Sequence, residues 1–447
     1  MKVTLGRGSV VVRFPSRELM SGLSRFRHTK DGSGEYEQLY TLSVQRDSLV
    51  TMPGFAKRVI SMCPEHRIID ERIPLPVPDI GKALQGVDPV WHGVVKAALA
   101  ADGGTVAIPS IFGTVQFASA IARAFPRDRL AERGTPTIVV AVKDHESARR
   151  VAFGMRSLLP GRDIGIGECD GDDILVCTYG TIDKYSRADV GIIIGDDIAC
   201  EDPGKTFVKR AATISAFRNA ARWGVYETAG GGCEELDMAA EGLFGPIVAS
   251  ASYNDAVKAN VGAPVTVCWL KAPRPNSQWG SAPLKALSAL AMGPEFMRMV
   301  SEIAMRTKGC IVCSDATIQQ KLLNTVYSPG LAVVNRKMSE KDRRIVFGNI
   351  ETGGVSLALV TWDSFPPATC QGVMVAVTCG GKEFAGAKFP WRTKDKVYIV
   401  DFVHDWDVHN GRPGVIARND EARKRRYADM GFFQMFVADV NHLPFIG

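Results

Sequence analysis

A chain of 447 residues with 46% hydrophobic and 23% charged residues is long enough for two or three domains with their own cores, and too apolar to be disordered or fibrous. Its net charge of +6, from 54 basic against 48 acidic residues, permits a polyanionic partner without requiring one. No apolar run reaches the about 18 residues that span a bilayer, and the opening MKVTLGRGSVVVRFPS alternates like a strand where a signal peptide has a solid apolar block; a soluble intracellular protein is expected.

Residues 1–78 alternate short β-like runs (KVTLGRGSVVVRF, EQLYTLSVQ) with turn residues, then give LVTMPGFAKRVISMCP and the proline-rich exit RIPLPVPDIG. That pattern reads as a small α+β domain followed by a linker. Residues 79–272 form the expected first lobe. Strands and helices alternate there: TVAIP, VQFASAIARAF, TIVVAV, HESARRVAFGMRSLL, DILVCTY, VGIIIGDD, TFVKRAATISAFRNAA and WGVYETA. Apolar strands punctuated by amphipathic helices build a parallel sheet covered on both faces, with ligands at the carboxyl ends of its strands. The Pro- and Ser-rich APRPNSQWGSAPLK reads as a hinge over Pro273–Pro283. Residues 284–447 then repeat the alternation, with GCIVCS, GLAVVN, VSLALVT, GVMVAVT and KVYIVDF as strands, so paired lobes around a cleft are expected. Ten cysteines are scattered; the close pair Cys310 and Cys313 has no second pair or His cluster to complete a zinc site, which leaves reduced, buried thiols.

The order of these elements resembles the superfamily 2 DNA helicases, in particular the phage recombination and excision-repair helicases with a short N-terminal DNA-reading domain. The resemblance runs over nearly the whole chain. TMPGFAKRV with DERIPLP is similar to their entry, VWHGVVKAAL falls where an aromatic-Gln pair reads adenine, and IPSIFGTVQFASAIA falls on motif I. TIVVAVKDHESARRVA follows at motif Ia, ILVCTYGTIDK at the phosphate-contacting Thr motif, GIIIGDDIA at motif II and RWGVYETAGG at motif III. The fold this implies is α/β, two RecA-like parallel-sheet lobes with the small N-terminal α+β domain.

A working motif I is a Pro-Thr-Gly-x-Gly-Lys-Thr loop, whose amides cradle phosphates, whose Lys meets the β and γ phosphates and whose Thr holds Mg²⁺. On PSIFGTV only Pro109 and Gly113 match. Thr114 stands for the lysine and Val115 for the magnesium hydroxyl, while Ile111 and Phe112 hinder a tight amide nest. His92 replaces the adenine-reading Gln. The PGKT at Pro203–Thr206 lacks the first half of a phosphate loop and follows no suitable strand. In motif II, Asp196 is placed to hold Mg²⁺, and Asp197 stands one methylene short where the family has the Glu that polarises water. The bland reading is two acids capping a strand end. Motif VI carries arginines to the γ phosphate; TCGGKEFAGAKFPWR offers Gly386 and Ala387 instead, with Lys388 or Arg392 as substitutes.

On the nucleic-acid side, Thr178, Ser314 and Thr361 lie at strand ends where the family's hydroxyls meet phosphates, although a strand-end hydroxyl also serves simple capping. RKRRY, with Arg423, Arg425 and Arg426, either grips a backbone or forms a solvated helix face. His404, Asp405, Asp407 and His409 are a conceivable metal cluster, but on the family pattern they are a strand end with its exit loop, and no metal is expected. Loss of the lysine, the hydroxyl, the Glu and the arginine together argues against ATP turnover, and with the resemblance implies a helicase-like bacteriophage protein. It would need no cofactor and would bind DNA by backbone contacts, or a protein partner such as an active helicase, in the cytoplasm of the infected host during replication or recombination. Two alternatives stay open. One is an active helicase with drifted motifs, completed by Lys205 or another base and using ATP and Mg²⁺; the other is a structural or assembly protein of the virion.

Overall fold

The computed structural model describes all residues except 1, 8, 24, 29–33, 38–40, 46, 63–66, 110–111, 168–172, 185–188, 197–212, 227–240, 275–292, 308–309, 327, 336, 365–372, 379–395, 410 and 447. The chain divides into two compact units, Met1–Ala251 and Ser252–Gly447. The first unit opens with β1 (Lys2–Leu5), β2 (Val10–Arg13), the hairpin β3 (Arg25–His28) and β4 (Gly34–Glu37), then β5 (Thr41–Gln45), β6 (Ser48–Thr51) and β7 (Arg67–Asp70). They make a mixed sheet of order β5-β6-β2-β1-β7, antiparallel except where β1 meets β7, with β3 and β4 paired separately. Period-two alternation sets its faces. Val3, Leu5, Val10, Val12 and Leu49 are buried, and Lys2, Arg13 and Arg67 are exposed in one row across three strands.

The next strands are β8 (Gly104–Ala107), β9 (Thr137–Val142), β10 (Ile164–Ile166), β11 (Ile174–Thr178), β12 (Val190–Gly195), β13 (Ala221–Tyr226) and β14 (Ile247–Ser250). They form a seven-stranded sheet of order β10-β11-β9-β12-β13-β8-β14, parallel throughout. VGIIIG and ILVCT are buried at every position, as strands covered on both faces must be. The helix His145–Leu158 starts where the Asp144 side chain accepts from Ser147 N, and it buries Ala148, Val151, Ala152 and Met155 at helical spacing. One apolar cluster runs from Val3, Leu49, Phe55 and Val59 into Val139, Leu175, Ile193 and Phe244. The small N-terminal sheet domain thus shares its core with the first lobe.

The second unit contains β15 (Val265–Lys271), β16 (Cys310–Ser314), β17 (Leu331–Val334), β18 (Leu357–Thr361), β19 (Val373–Ala376), β20 (Val397–Val403), the short hairpin β21 (Val408–His409) and β22 (Arg412–Pro413), and β23 (Phe433–Val437). Seven of them form a second parallel sheet, β17-β18-β16-β19-β20-β15-β23. Here the structure moves the expected boundary of the first lobe, residue 272. Val265–Lys271 pairs in parallel with Val397–Val403 and with Phe433–Val437, so it is a central strand of the second sheet. Its apolar run marks a buried strand but cannot say which sheet the strand joins. Of the expected hinge Pro273–Pro283, only Pro273 and Arg274 are among the described residues.

Candidate nucleotide site and nucleic-acid face

The residues of motif I and motif II meet at the carboxyl ends of β8 and β12, one strand apart across β13, where ligands bind in open α/β sheets. β8 leads to the buried Pro109, whose carbonyl accepts from Phe112 N at 3.0 Å and Gly113 N at 3.2 Å. Those two amides close a local turn instead of facing outward as a phosphate cradle does. Gly113 opens the helix Gly113–Ala124 at φ +62°, a conformation that L side chains avoid. Phe112 is 1% exposed and stacks on Trp91, with ring centroids 5.0 Å apart and planes at 19°. Burying such a ring contributes about 1.5–3 kcal/mol, and the stacked pair roughly 0.5–1.5 kcal/mol more, both lost if the loop opens.

Thr114, in the lysine's place, is buried, and its Oγ1 donates to the Asp196 carboxylate. Val115 packs against Gly154 of the helix His145–Leu158, so it faces a neighbouring helix. Asp196 follows β12 and is 9% exposed. Its amide bonds Ala141 O at 2.8 Å, and its carbonyl accepts from Tyr179 Oη at 3.0 Å. Gly195 admits Tyr179 so closely that a Cβ there would lie 2.7 Å from the phenol oxygen. His92 directs Nε2 to Val87 O at 2.9 Å, closing the turn before its own helix. The sequence placed Thr114 and Asp196 in one site and Trp91 within the stretch aligned to the adenine-reading pair, but it did not foresee that Trp91 stacks on Phe112. Ile111, Asp197, Pro203–Thr206 with Lys205, Gly386, Ala387, Lys388 and Arg392 lie outside the described residues.

The three strand-end hydroxyls are buried and engaged locally. Thr178 Oγ1 lies 3.1 Å from Thr181 Oγ1, whose oxygen also accepts from Thr178 N. Ser314 Oγ donates to Asp315 O at 3.2 Å, and Thr361 Oγ1 to Ser364 Oγ at 2.9 Å.

RKRRY splits. Arg423 is 0% exposed: its Nε bonds Asp401 Oδ2 at 3.1 Å, and its Nη2 bonds Asp401 Oδ1 at 3.2 Å, Asp420 Oδ1 at 2.9 Å and Phe402 O at 3.1 Å. This corrects its expected place on a phosphate-facing row: the helix Val415–Asp429 turns Ile416, Asp420, Arg423 and Tyr427 inward at helical spacing, so Arg423 is a core residue. Arg425 is exposed and Arg426 half-buried. Burial pushes the Asp401 carboxyl up against the opposing pull of Arg423. Burial acts the same way on Asp420, but hydrogen bonds from His404 and the charges of His404 and Arg423 outweigh it and hold that carboxyl below its ordinary value.

The conceivable metal residues disperse. His404 binds Asp420, Asp405 pairs with Lys271 at 2.8 Å, and Asp407 accepts from Ile416 N and Ala417 N at the start of the helix. No group of three or more His, Cys, Asp or Glu among the described residues is arranged to hold a metal. No helix among them is long and apolar enough to cross a membrane.

No protein-family model matches the chain, and no curated protein matches it. Solved structures do. A single-residue variant of Saccharomyces cerevisiae Dbp5, bound to RNA and ADP BeF3, is similar with a TM-score of 0.50 and 10% identity over 79% of this chain and 96% of that chain. UvsW of bacteriophage T4 is similar at 14% identity over 98% of this chain and 99% of that chain, with a TM-score of 0.41. At such identities the likeness speaks for the fold, and the Dbp5 comparison carries it. Two seven-stranded parallel sheets, each a RecA-like lobe, with a small mixed sheet domain before them, give this chain a fold similar to that of Dbp5.

Proposed function

We propose that this chain is a helicase-fold protein that does not turn over ATP and that uses its lobes to hold nucleic acid or a protein partner. The observation that carries the reading is the closed motif I site. Thr114 donates to Asp196, two loop amides bond Pro109 O, and Phe112 lies buried on Trp91. Tested against ATP and Mg²⁺, the residues do not fit. Thr114 has no cation for the β and γ phosphates, Val115 has no hydroxyl for the metal, and the carboxylate that would take Mg²⁺ accepts from a threonine. No step through a nucleotide follows from this geometry.

Nucleic acid as the ligand is supported by the fold it shares with Dbp5, which was solved with RNA, and by the net charge of +6. Contacts through arginine, lysine, hydroxyl and amide read backbone and not base edges, so affinity is expected to fall steeply with salt and to ignore sequence. The likeness of the motif order to phage recombination helicases supports a role in replication or recombination within an infected cell, beside an active helicase or other partner.

Thermal melting with and without ATP and Mg²⁺ tests the core of the reading. A ligand at a hundred times its Kd adds about 2.7 kcal/mol, so an unmoved melting temperature is expected. ATP hydrolysis above background that Asp196→Ala abolishes would overturn it, because Asp196 would then be holding a working metal ion.

A further inference from the structure

Beyond its first turn the helix His145–Leu158 carries charge of one sign. From Ser147 to Arg162 the chain has four arginines, Arg149, Arg150, Arg156 and Arg162, and no aspartate or glutamate. Arg162 is paired with Asp173, and Arg156 donates to Ile164 O at 3.2 and 2.6 Å. Arg149 and Arg150 are exposed, and neither makes an ion pair among the described residues, not even with Glu146 one turn before them. Acids three or four positions away would pair such arginines; past Glu146 this helix has none.

Phe153 stands among them. The helix turns Ala148, Val151, Ala152 and Met155 inward, which puts Phe153 on the opposite side, 69% exposed. Arg149 and Arg150 precede it by four and three positions and Arg156 follows it by three, so their Cβ atoms neighbour its own at about 5–6 Å. The backbone beneath is fixed. Asp144 caps the first turn, and Gly154 lets Val115 of the helix Gly113–Ala124 approach so closely that a Cβ there would lie 2.8 Å from Val115 Cγ1. The helix opens directly after β9, the neighbour of β12, so its first turn shares the carboxyl-end rim with Asp196. Phe153 lies nine residues past the cap, about 13 Å along the axis.

An exposed ring flanked by arginines that lack acids matches a ligand with phosphates and an open ring face on one short segment. We propose that Phe153 is a stacking platform for a base of single-stranded nucleic acid, with Arg149 and Arg150 holding the adjoining phosphates. This rests on the nucleic-acid reading above and adds to it a preference for single strands. A second copy of this chain docked through the same face would set arginine against arginine, whichever way the two helices ran. An extended peptide would find neither a groove nor a strand edge on the ridge of a helix. A folded protein with acids around an apolar recess is the competing occupant.

Anisotropy titrations of the full chain with a short labelled oligothymidylate and with a duplex of the same length, at low salt, test the platform. Phe153→Ala should weaken single-strand binding about tenfold and leave the duplex unchanged, because stacking needs an open base face. Phe153→Trp should keep the native affinity. Phe433→Ala, which removes a ring 65% exposed on β23 with no arginine within four positions of it, should have no effect. Arg149→Ala and Arg150→Ala should each weaken both ligands and reduce the salt slope by about one. All of these side chains are exposed, so the variants should melt with the native chain. If the native chain binds the oligonucleotide and Phe153→Ala binds it equally well, or loses the duplex to the same extent, the platform is overturned, the ridge is left to an acidic protein, and the function proposed above stands. If the native chain binds neither ligand at low salt, the nucleic-acid reading itself falls, and the platform with it.

Discussion

At the scale of the residue, burial decides chemistry more than identity does. Thr114 is an ordinary hydroxyl, but buried beside Asp196 it donates to the carboxylate at the centre of the motif II site. The thiols follow the same rule. Burial pushes Cys177 and Cys310 up to about 12 and Cys268 up to about 11, from an ordinary 9.0. The thiolate is the reactive form, so iodoacetamide is expected to label these cysteines only as fast as the protein opens, which mass spectrometry of timed samples reads directly. The pH dependence has a definite sign. Below 9.0 the thiols are protonated in both folded and unfolded chains, and their contribution is fully present; between 9.0 and about 12 the unfolded chain releases protons that the folded chain keeps, so stability falls as pH rises. Urea unfolding on either side of 9.0 checks it, and a rise in stability there would contradict the burial of these groups.

At the scale of the element, the helix Val415–Asp429 is clamped to β20 by charge as well as by packing. Arg423 reaches Asp401 on the strand and Asp420 one turn back, and Tyr427 Oη adds a bond to Asp401 Oδ2 at 3.1 Å. Burial alone would lower the guanidinium, yet the two carboxylates outweigh it and raise Arg423 above its ordinary value. Removing one member of a buried set strands the others without solvent or partner. Arg423→Ala is therefore expected to destabilise the second unit by about 3–5 kcal/mol, whereas Arg425→Ala, on the exposed face, should change stability by less than about 0.5 kcal/mol. Thermal or urea unfolding of the two variants compares them, and equal small effects would show that the network contributes little.

At the scale of the whole molecule, the N-terminal sheet and the first lobe depend on each other. Phe55 and Met52 pack on Gly242, Arg58 makes a two-bond pair with Glu241 at 3.0 and 2.6 Å, and Arg222 on β13 donates to the carbonyl of Arg7. Because the apolar cluster crosses from one sheet to the other, a chain beginning at residue 79 would expose the side chains that Val3, Leu49 and Phe55 now cover. Exposed apolar area of that kind drives aggregation. Such a truncation is expected to be insoluble or molten, while the full chain melts cooperatively, as circular dichroism and gel filtration will record. A soluble, cooperatively folding truncation would mean that the two sheets are independent domains.

The sequence by itself determined much of this protein. Apolar runs such as VGIIIG and ILVCT could only be doubly covered strands, their alternation with amphipathic helices pointed to two parallel sheets, and the residues at motif I removed the lysine and the magnesium hydroxyl before any coordinate was known. Tertiary structure alone decided that Val265–Lys271 joins the second sheet, that Arg423 is core while Arg425 is surface, and that Phe112 folds onto Trp91. The physical reason is range. Period and composition report how a segment divides between oil and water, which is local; the strand it pairs with and the depth at which a charge settles depend on contacts such as Val265 with Val397, made by residues far apart in the chain.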